Sequence, residues 1–388
     1  MVDVQGYEVQ GVCEAGFEGV REAFAANFTE RGDVGASAVV THDGRVVADL
    51  WAGAADSPDS AAWERDTIVN VYSTTKTMSC LAGLVLASRG EVDVDSPVAR
   101  YWPEFAANGK DGVLVRHLLA HTAGLSGWEA PLTGDDLYDW EKCTSLLAAQ
   151  APWWTPGSKS GYHALTQGYL IGEVVRRVSG QSVGAFFRDE IAGPLGADFF
   201  IGLPASEDHR TARVIPPPAP LPGADGVGDR ASVAYKTFSN PPLRAEQSFE
   251  EAWRRAEIPA AGGTGNARGV AAAQTVVACG GEVNGVRLLS EKVCERIFDV
   301  QAAGRDLVMG VGVTFGVGYG LNSPKAPIGP NPRTCYWGGW GGSLVVNDLD
   351  ARLCMAYVMN RMGEGTVGDD RAHAILRAAY VAIGQGEG

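Results

Sequence analysis

The spacing of apolar residues predicts that the chain opens with an amphipathic helix. Phe17, Val20, Phe24 and Phe28 recur at helical intervals, and Gly32 follows them as a stop signal. Two β-rich runs come next, at 35–41 and 45–51, separated by Asp43-Gly44. An Asp-Gly pair between two such runs is typical of a two-residue hairpin turn. The start of the chain is therefore predicted to form a helix followed by a β-hairpin.

The middle of the chain, from about residue 85 to 182, has a mostly helical pattern. It includes predicted helices at 114–121 and 165–178, and Gly180 ends the second. The loop region between them is rich in aromatic rings, which either line a substrate pocket or simply pack: Trp128, Tyr138, Trp140, Trp153 and Trp154.

A long loop is predicted at 203–232. Its prolines, at positions 216, 217, 218, 220 and 222, are incompatible with regular secondary structure. Loops of this length are often functional, so we expect either a wall or flap over a site or a linker. A glycine-rich turn at 260–269 then leads into a predicted helix ending near Cys279.

The C-terminal third changes to a β pattern. Strands are predicted at 307–314, 333–337, 343–347 and 352–360, with a tight turn between the last two. A final helix has one apolar face, formed by Ala372, Ile375, Leu376, Ala379, Tyr380 and Ile383.

Strand patterns at both ends of the chain, with helices between them, predict an α+β fold. Residues 1–84 and 255–388 would form one α/β lobe, an antiparallel sheet flanked by helices. Residues 85–254 would form a mostly helical lobe that carries the Pro-rich loop. The length of 388 residues fits two lobes of this size.

Composition narrows the classes of partner and compartment. The formal net charge is −14 and no Lys- or Arg-rich run occurs, which argues against nucleic acid or an anionic membrane as a partner. No apolar run has the length of a membrane span, and the first ten residues do not resemble a signal peptide. Seven scattered Cys without a Cys-x-x-Cys pair suggest reduced thiols. We therefore expect a cytoplasmic protein; its oligomeric state is left open.

The first candidate for chemistry is the Ser-x-x-Lys pair Ser73 and Lys76. Met78, Leu81 and Val85 place both on a helix that begins near Ser73, so the two side chains share a face. The positive end of the helix dipole favours an alkoxide-like oxygen. A buried amine loses affinity for its proton and can act as a base. An ordinary helix cap followed by a solvated lysine is the alternative.

Two further candidates lie far along the chain. Tyr162 precedes the predicted helix at 165–178, where a tyrosine can shuttle protons if cations stabilise its phenolate; packing is the alternative. The run WGGWGGS at 337–343 offers glycine backbone N–H groups of the kind an oxyanion hole needs, or else a bulged strand.

Other site types are poorly supported by the residues. His117 and His121 have the spacing of two zinc ligands, but position 118 is Leu and no third ligand follows, so His121 is expected to make a structural hydrogen bond. Gly-x-Ser-x-Gly, a P-loop and a dinucleotide-binding glycine motif are all absent from the sequence.

Taken together, the ordered motifs resemble the class C β-lactamase-like serine hydrolases, and most closely the family VIII carboxylesterases. The resemblance also covers RHLLAHTAGL at 116–125, DSPV at 95–98, YWPE at 101–104, PLG at 194–196 and AGG at 261–263. It implies an α/β lobe and a helical lobe with the active site between them, and no metal or cofactor.

The resemblance also implies roles for individual residues. Ser73 would be the nucleophile, Lys76 its base partner and Tyr162 the catalytic tyrosine. Trp337, Gly338 and Gly339 would replace the third motif of the lactamases, Lys-Thr-Gly, and contribute to substrate binding. The backbone N–H groups of Ser73 and Trp340 would form the oxyanion hole.

Two departures from the lactamase pattern favour esters as substrates. The Asn two residues after the tyrosine is Ala164 here, and the cationic Lys of the third motif is Trp337. The resemblance therefore implies a serine carboxylesterase acting on small or short-chain esters through an acyl-enzyme. An acyltransferase or a hydrolase of small amides or lactams is the alternative; a true β-lactamase or a non-catalytic relative is less favoured.

Overall fold

A nine-stranded antiparallel sheet built from both ends of the chain forms the centre of the fold. The computed structural model describes residues 3–4, 7–57, 60–219, 228–365 and 367–386. The strands are β1 (Asp3–Val4), β2 (Tyr7–Glu8), β3 (Gln10–Cys13), β4 (Gly35–His42), β5 (Arg45–Gly53), β6 (Val69–Asn70), β7 (Phe199–Ile201), β8 (Gly263–Gly265), β9 (Glu282–Val283), β10 (Val286–Arg287), β11 (Ala302–Arg305), β12 (Gly312–Phe315), β13 (Gly320–Leu321), β14 (Thr334–Gly338), β15 (Leu344–Asp348) and β16 (Leu353–Met359). The large sheet has the order β11-β12-β13-β14-β15-β16-β4-β5-β3.

Helices cover both faces of this sheet. They are α1 (Glu18–Glu30), α2 (Thr75–Ser88), α3 (Val115–Leu119), α4 (Trp140–Ala149), α5 (Thr166–Ser179), α6 (Val183–Phe187), α7 (Gly193–Leu195), α8 (Val233–Ser239), α9 (Glu251–Arg255), α10 (Ala267–Ala278), α11 (Glu291–Ile297) and α12 (Asp370–Ala382). Strand β16 is buried along its whole length and contacts both α10 and α12, so it is covered on each face. No helix within the described ranges is long and apolar enough to cross a lipid bilayer.

Local sequence signals explain the best-predicted elements. The β4–β5 hairpin turns at Asp43 and Gly44, whose φ angles of +51° and +75° suit an Asp-Gly pair. Helix α5 ends at Gly180, which adopts the left-handed conformation typical of a helix C-terminus. The predicted hairpin, first helix and final helix are all confirmed.

The predicted strand at 307–314 is wrong in its first half. Strand β11 ends at Arg305, a turn follows, and β12 begins only at Gly312. The turn forms because Asp306 Oδ1 accepts hydrogen bonds from the N–H groups of Val308 and Met309, both at 2.9 Å. Two of the apolar residues that suggest a strand, Val308 and Met309, instead pack in a small cluster around Tyr162.

The middle of the chain is mainly helical, but it also contributes β7. This strand pairs with β8, which pairs with β6 just before Ser73. The proposed boundaries of two lobes therefore remain a prediction. Residues 220–227 of the Pro-rich loop, including Pro220 and Pro222, lie outside the described residues. The described part before them pairs through Ile215 with Arg361.

Candidate active site

Ser73 lies in a short 3₁₀ turn, Tyr72–Thr74, that leads directly into helix α2. The helix proper begins at Thr75, two residues after the predicted start. Tyr72 has a φ of +46°, a conformation that bulky side chains rarely adopt, so the turn is strained. The Tyr72 hydroxyl donates to the carbonyl of Ala245 at 2.9 Å, which helps to hold this geometry.

Lys76 is the centre of the hydrogen-bond network at this turn. Its side chain is buried, with only 1% of the residue exposed. Lys76 Nζ lies 3.0 Å from Ser73 Oγ and 2.9 Å from Tyr162 Oη. It also donates to the main-chain carbonyls of Ala164, at 2.7 Å, and Ala260, at 2.9 Å. Four oxygen atoms therefore surround one amine.

This environment suits the neutral form of the amine. Burial lowers the pKa of Lys76 well below its ordinary value, and within the described chain no carboxylate contributes to stabilising the charge. A neutral amine has two N–H donors and one lone pair. If the two N–H groups bond to the carbonyls of Ala164 and Ala260, the lone pair faces the Ser73 and Tyr162 hydroxyls. That is the arrangement a general base requires.

Tyr162 completes a triangle with Ser73 and Lys76. Its Oη lies 2.5 Å from Ser73 Oγ, so a proton can pass among the three side chains. Burial raises the pKa of Tyr162 above its ordinary value, which keeps the phenol protonated at neutral pH. The main-chain N–H of Tyr162 donates to Asp306 Oδ1 at 3.0 Å, anchoring the tyrosine to the turn after β11.

A small apolar cavity of about 40 Å³ adjoins Ser73 and Tyr162. Its remaining lining is formed by Tyr72, Ala164, Leu165, Thr237, Phe238, Pro241, Leu243, Ala261 and Trp340, none of which carries a charge. The wall at 237–243 follows the Pro-rich loop in sequence. Asn240 holds this wall in place, because its Nδ2 donates to the carbonyls of Trp128 and Ala130.

The sequence from residue 22 to 380 matches the family model described as Beta-lactamase. The chain belongs to the β-lactamase family. It is 34% identical over 395 residues to Esterase/beta-lactamase LipL of Mycobacterium tuberculosis, covering 98% of this chain and 91% of that protein. The resemblance inferred from the motifs is thereby confirmed.

Two solved structures share the fold of this chain over nearly its whole length. A family VIII carboxylesterase is 42% identical, with a TM-score of 0.89, over 97% of this chain and 100% of that one. A penicillin-binding protein homologue from Caulobacter crescentus is 36% identical, with a TM-score of 0.90, over 97% and 100% of the two chains. The predicted α+β fold class is confirmed by these likenesses.

Trp337, the first residue of the chain's third candidate motif, packs against Tyr162. Its ring stacks on His121, with centroids 5.1 Å apart and planes at 22°. It also contacts Phe315 and Tyr162 at centroid distances of 5.5 and 5.8 Å. Trp337 is buried and does not line the cavity at Ser73. A direct contact between Trp337 and substrate remains a prediction.

Close packing explains why Gly338 and Gly339, next to Trp337, are glycines. A Cβ at Gly338 would collide with the backbone at Val367, and one at Gly339 would collide with the Val71 carbonyl and Ser343 Oγ. Close packing therefore accounts for both glycines, and neither lines the cavity, so their role in substrate binding stays a prediction.

Trp340 does reach the cavity. Its ring packs edge-on against Tyr72, with centroids 5.2 Å apart. The main-chain N–H groups of Ser73 and Trp340 donate to no acceptor within the described ranges. Both N–H groups are therefore available to a bound oxygen.

The two histidines at zinc-like spacing make local hydrogen bonds. His121 Nδ1 accepts from the main-chain N–H of His163 at 3.0 Å, and its Nε2 lies 3.2 Å from Gln167 Nε2. His117 Nδ1 accepts from the N–H of Leu114 at 3.2 Å, at the start of its own helix. Burial lowers the pKa of His121 well below its ordinary value, which keeps the ring neutral. The expected structural hydrogen bond of His121 is present.

Sequence reasoning missed several groups that shape the site. Asp306 anchors Tyr162, Phe238 and Leu243 wall the cavity, and main-chain carbonyls bind Lys76. Only Asp306 had a usable signal, an Asp at the start of a turn with Gly310 four residues on, where φ is +70°. The other contacts arise from distant chain segments and follow no local motif.

Proposed function

We propose that this protein is a serine carboxylesterase that hydrolyses small, uncharged esters through an acyl-enzyme on Ser73. The observation that carries the proposal is the buried Lys76 amine, 3.0 Å from Ser73 Oγ and 2.9 Å from Tyr162 Oη, with no carboxylate beside it in the described structure. The names of two relatives, an esterase/β-lactamase and a family VIII carboxylesterase, support ester hydrolysis.

The first half-reaction forms the acyl-enzyme. Neutral Lys76 takes the proton of Ser73, directly or through Tyr162, as Ser73 Oγ attacks the ester carbonyl carbon. The carbonyl electron pair moves onto oxygen, and the N–H groups of Ser73 and Trp340 stabilise the oxyanion. When the tetrahedral intermediate collapses, Tyr162 donates its proton to the departing alcohol oxygen. Tyr162 then takes the proton held by Lys76, which restores both groups.

The second half-reaction releases the acid. A water molecule takes the position that the alcohol has left and gives a proton to the Tyr162–Lys76 pair as it attacks the acyl carbon. The same two N–H groups stabilise the second oxyanion. Ser73 Oγ then leaves and recovers its proton.

The character of the cavity favours esters over β-lactams. β-Lactam antibiotics carry a carboxylate, yet no charged side chain lines the cavity, and Trp337 and Ala164 replace the lactamase Lys and Asn. The cavity beside Ser73 is small, about 40 Å³. We therefore expect short acyl chains and uncharged substrates.

Ser73→Ala is the direct test, with Ser88→Ala as the matched control at the far end of helix α2. With p-nitrophenyl acetate and butyrate, we expect Ser73→Ala to lose about 10⁴-fold or more of kcat, because no acyl-enzyme can form. Ser88→Ala should turn over as the wild type does. Mass spectrometry should find the acetyl group on Ser73 after a rapid quench. Wild-type turnover in Ser73→Ala would disprove the mechanism.

A substrate panel separates the alternatives that use the same site. Esters, anilides and nitrocefin are compared, each with and without added butanol or butylamine. Butyl ester or butylamide as the main product would identify an acyltransferase, and preferential cleavage of anilides would identify an amidase. Nitrocefin turnover matching that of esters would contradict our preference for uncharged substrates.

A further inference from the structure

Arg371, near the start of helix α12, is buried against the glycine turn that carries Trp340. Only 5% of the residue is exposed. Its Nη2 donates to the carbonyl of Gly341 at 2.7 Å, and its Nη1 donates to the carbonyl of Arg361 at 2.8 Å. One planar guanidinium therefore joins two separate stretches of main chain.

Two carboxylates fix the orientation of this guanidinium. Nη1 lies 2.7 Å from Asp33 Oδ1, and Nη2 lies 2.6 Å from Asp369 Oδ2. Asp33 is fully buried and also accepts a hydrogen bond from the Tyr357 hydroxyl at 2.5 Å. Since the guanidinium contacts four partner residues and a lysine has only three N–H donors on one nitrogen, a lysine could not reproduce the set.

The turn is closed internally by the Gly342 N–H, which donates to the Gly339 carbonyl at 3.1 Å, but its glycines restrict the backbone little. Gly341 and Gly342 have φ angles of +100° and +121°, a region favoured by glycine, which also leaves the unfolded backbone most freedom. External contacts hold the turn: Gly341 N–H donates to the Gly365 carbonyl at 2.9 Å, and Gly363 N–H donates to the Gly341 carbonyl at 2.7 Å. Arg371 adds the only charged donor to this carbonyl among the described residues.

We propose that Arg371 is a positioning residue that fixes the Trp340–Gly341–Gly342 turn so that the N–H of Trp340 faces the reacting carbonyl oxygen. The proposal rests on the proposed function, in which this N–H is one half of the oxyanion hole. By holding the Gly341 carbonyl, the guanidinium restrains the segment that immediately follows the Trp340 amide. Arg371 does not line the cavity at Ser73, so it acts through the turn rather than on the substrate.

A purely structural role makes a different prediction. A buried ion cluster can stabilise the fold without affecting the chemistry, and its weakening would then lower the melting temperature alone. A displaced oxyanion donor instead weakens transition-state binding more than substrate binding. The split between kcat and KM, measured well below the melting temperature, therefore distinguishes the two roles.

The first variant is Arg371→Lys, which keeps the charge but cannot bind the Gly341 carbonyl and both carboxylates together. With p-nitrophenyl acetate, we expect kcat to fall about 10- to 100-fold while KM stays within about twofold. The control is Arg268→Lys. Arg268 forms a comparable two-pronged pair with Asp49 and donates to the Arg65 carbonyl, but it lies outside the cavity lining. The Arg268→Lys variant should have a lower melting temperature than the wild type and an unchanged kcat.

A milder variant, Asp369→Asn, covers the case in which Arg371→Lys fails to fold. Asp369 caps helix α12 by accepting from the Arg371 N–H at 3.0 Å, and Asn is an equally good cap. The substitution therefore removes mainly the charge that orients the guanidinium. We expect kcat to fall several-fold with little change in KM. Wild-type kcat in either folded variant would overturn the proposal.

A fluorophosphonate probe separates this proposal from the esterase assignment. Ser73 Oγ gives its proton to Lys76 and forms a bond to phosphorus as fluoride leaves. The phosphoryl oxygen needs the same N–H donors, whatever the natural substrate. Slower labelling of Arg371→Lys than of Arg268→Lys, by about the factor seen in kcat, supports positioning. Equal labelling rates overturn it. Rapid labelling of a wild type that hydrolyses no ester would instead refute only the proposed function.

Discussion

Lys76 and Arg371 are both buried basic side chains, and they have opposite surroundings. Lys76 and Arg371 are 1% and 5% exposed. Lys76 is surrounded by hydroxyl and carbonyl oxygens and has no ion-pair partner in the part of the chain the structure describes. Arg371 sits between the carboxylates of Asp33 and Asp369. The two side chains are thus similarly buried, but only Arg371 has negatively charged partners.

The difference determines which chemistry each residue can support. Without a counter-charge, burial favours the neutral amine, so Lys76 can accept a proton. A guanidinium does not lose its proton, and with two carboxylates it becomes a fixed junction between main-chain segments. A buried basic side chain therefore acts as a proton acceptor or as a fixed structural contact, according to the charges around it.

The largest expected effect on activity comes from giving Ser73 a permanently charged neighbour, as the Gly341 turn has in Arg371. Lys76→Arg places a permanently charged group beside Ser73, which removes the base, and we expect kcat/KM for p-nitrophenyl acetate to fall 10²- to 10⁴-fold. Lys110→Arg is the matched control, because Lys110 is also a buried amine that donates to main-chain carbonyls, those of Ala107 and Gln150. A Lys76→Arg enzyme retaining a tenth of wild-type kcat/KM would contradict the role of base.

The pH dependence of the wild type sharpens the contrast. Since the neutral amine is the reactive form, kcat/KM should rise about tenfold per pH unit on the acid side and then level off. Burial lowers the pKa of Lys76 well below 10.5, so the plateau should be reached well below that pH. A stopped-flow profile of ester hydrolysis from pH 5 to 10 measures this. A rise that continues to pH 10 would show an ordinary, solvated lysine.

The free energy of unfolding should also depend on pH through the lowered pKa of Lys76. Between the lowered pKa of Lys76 in the folded protein and its ordinary value near 10.5, only the unfolded chain binds the proton. Raising the pH through this window therefore stabilises the wild type relative to Lys76→Met, by at most about 1.4 kcal/mol per pH unit. Urea unfolding of both proteins at several pH values gives the difference. A pH-independent difference would be inconsistent with a neutral buried amine.

The smallest expected effect on activity comes from a change beside Arg371, at the buried Asp33 carboxylate. Tyr357→Phe removes one donor from the buried Asp33 but leaves its contact with Arg371, so the free energy of unfolding should fall by about 1 kcal/mol. We expect kcat to remain within twofold of the wild type, because the guanidinium keeps its hold on Gly341. Urea unfolding and ester turnover, measured on the same preparation, provide the check.

The sequence predicted best where the cause is local. The three-residue spacing of Ser73 and Lys76 places both on one helical turn, and their 3.0 Å contact follows from that spacing. Tyr162 is different, because it lies 89 positions from Ser73 and no local rule joins them. Only the family resemblance suggested its place beside Ser73 and Lys76.

The failures have a common physical origin in distant contacts. The apolar run that starts at Leu307 has the pattern of a strand, but the chain turns there. Asp306, at the start of the turn, accepts a hydrogen bond from the N–H of Tyr162, 144 positions away. The glycines of the Trp337 run similarly reflect backbone packing against Val71 and Val367, which the sequence alone does not reveal. Periodicity reports local conformation, whereas these interactions depend on which segments meet in the folded chain.

The position of β16 in the large sheet has a consequence for how the protein is made. This strand, close to the C-terminus, lies between β15 and β4, and the pair Met359 and Ala36 joins the two ends of the sequence. On the ribosome, the hairpin of β4 and β5 must wait until β16, which begins at Leu353, has been synthesised. Such long-range pairing slows folding, and we expect a nascent chain stopped before Leu353 to remain unable to react at Ser73.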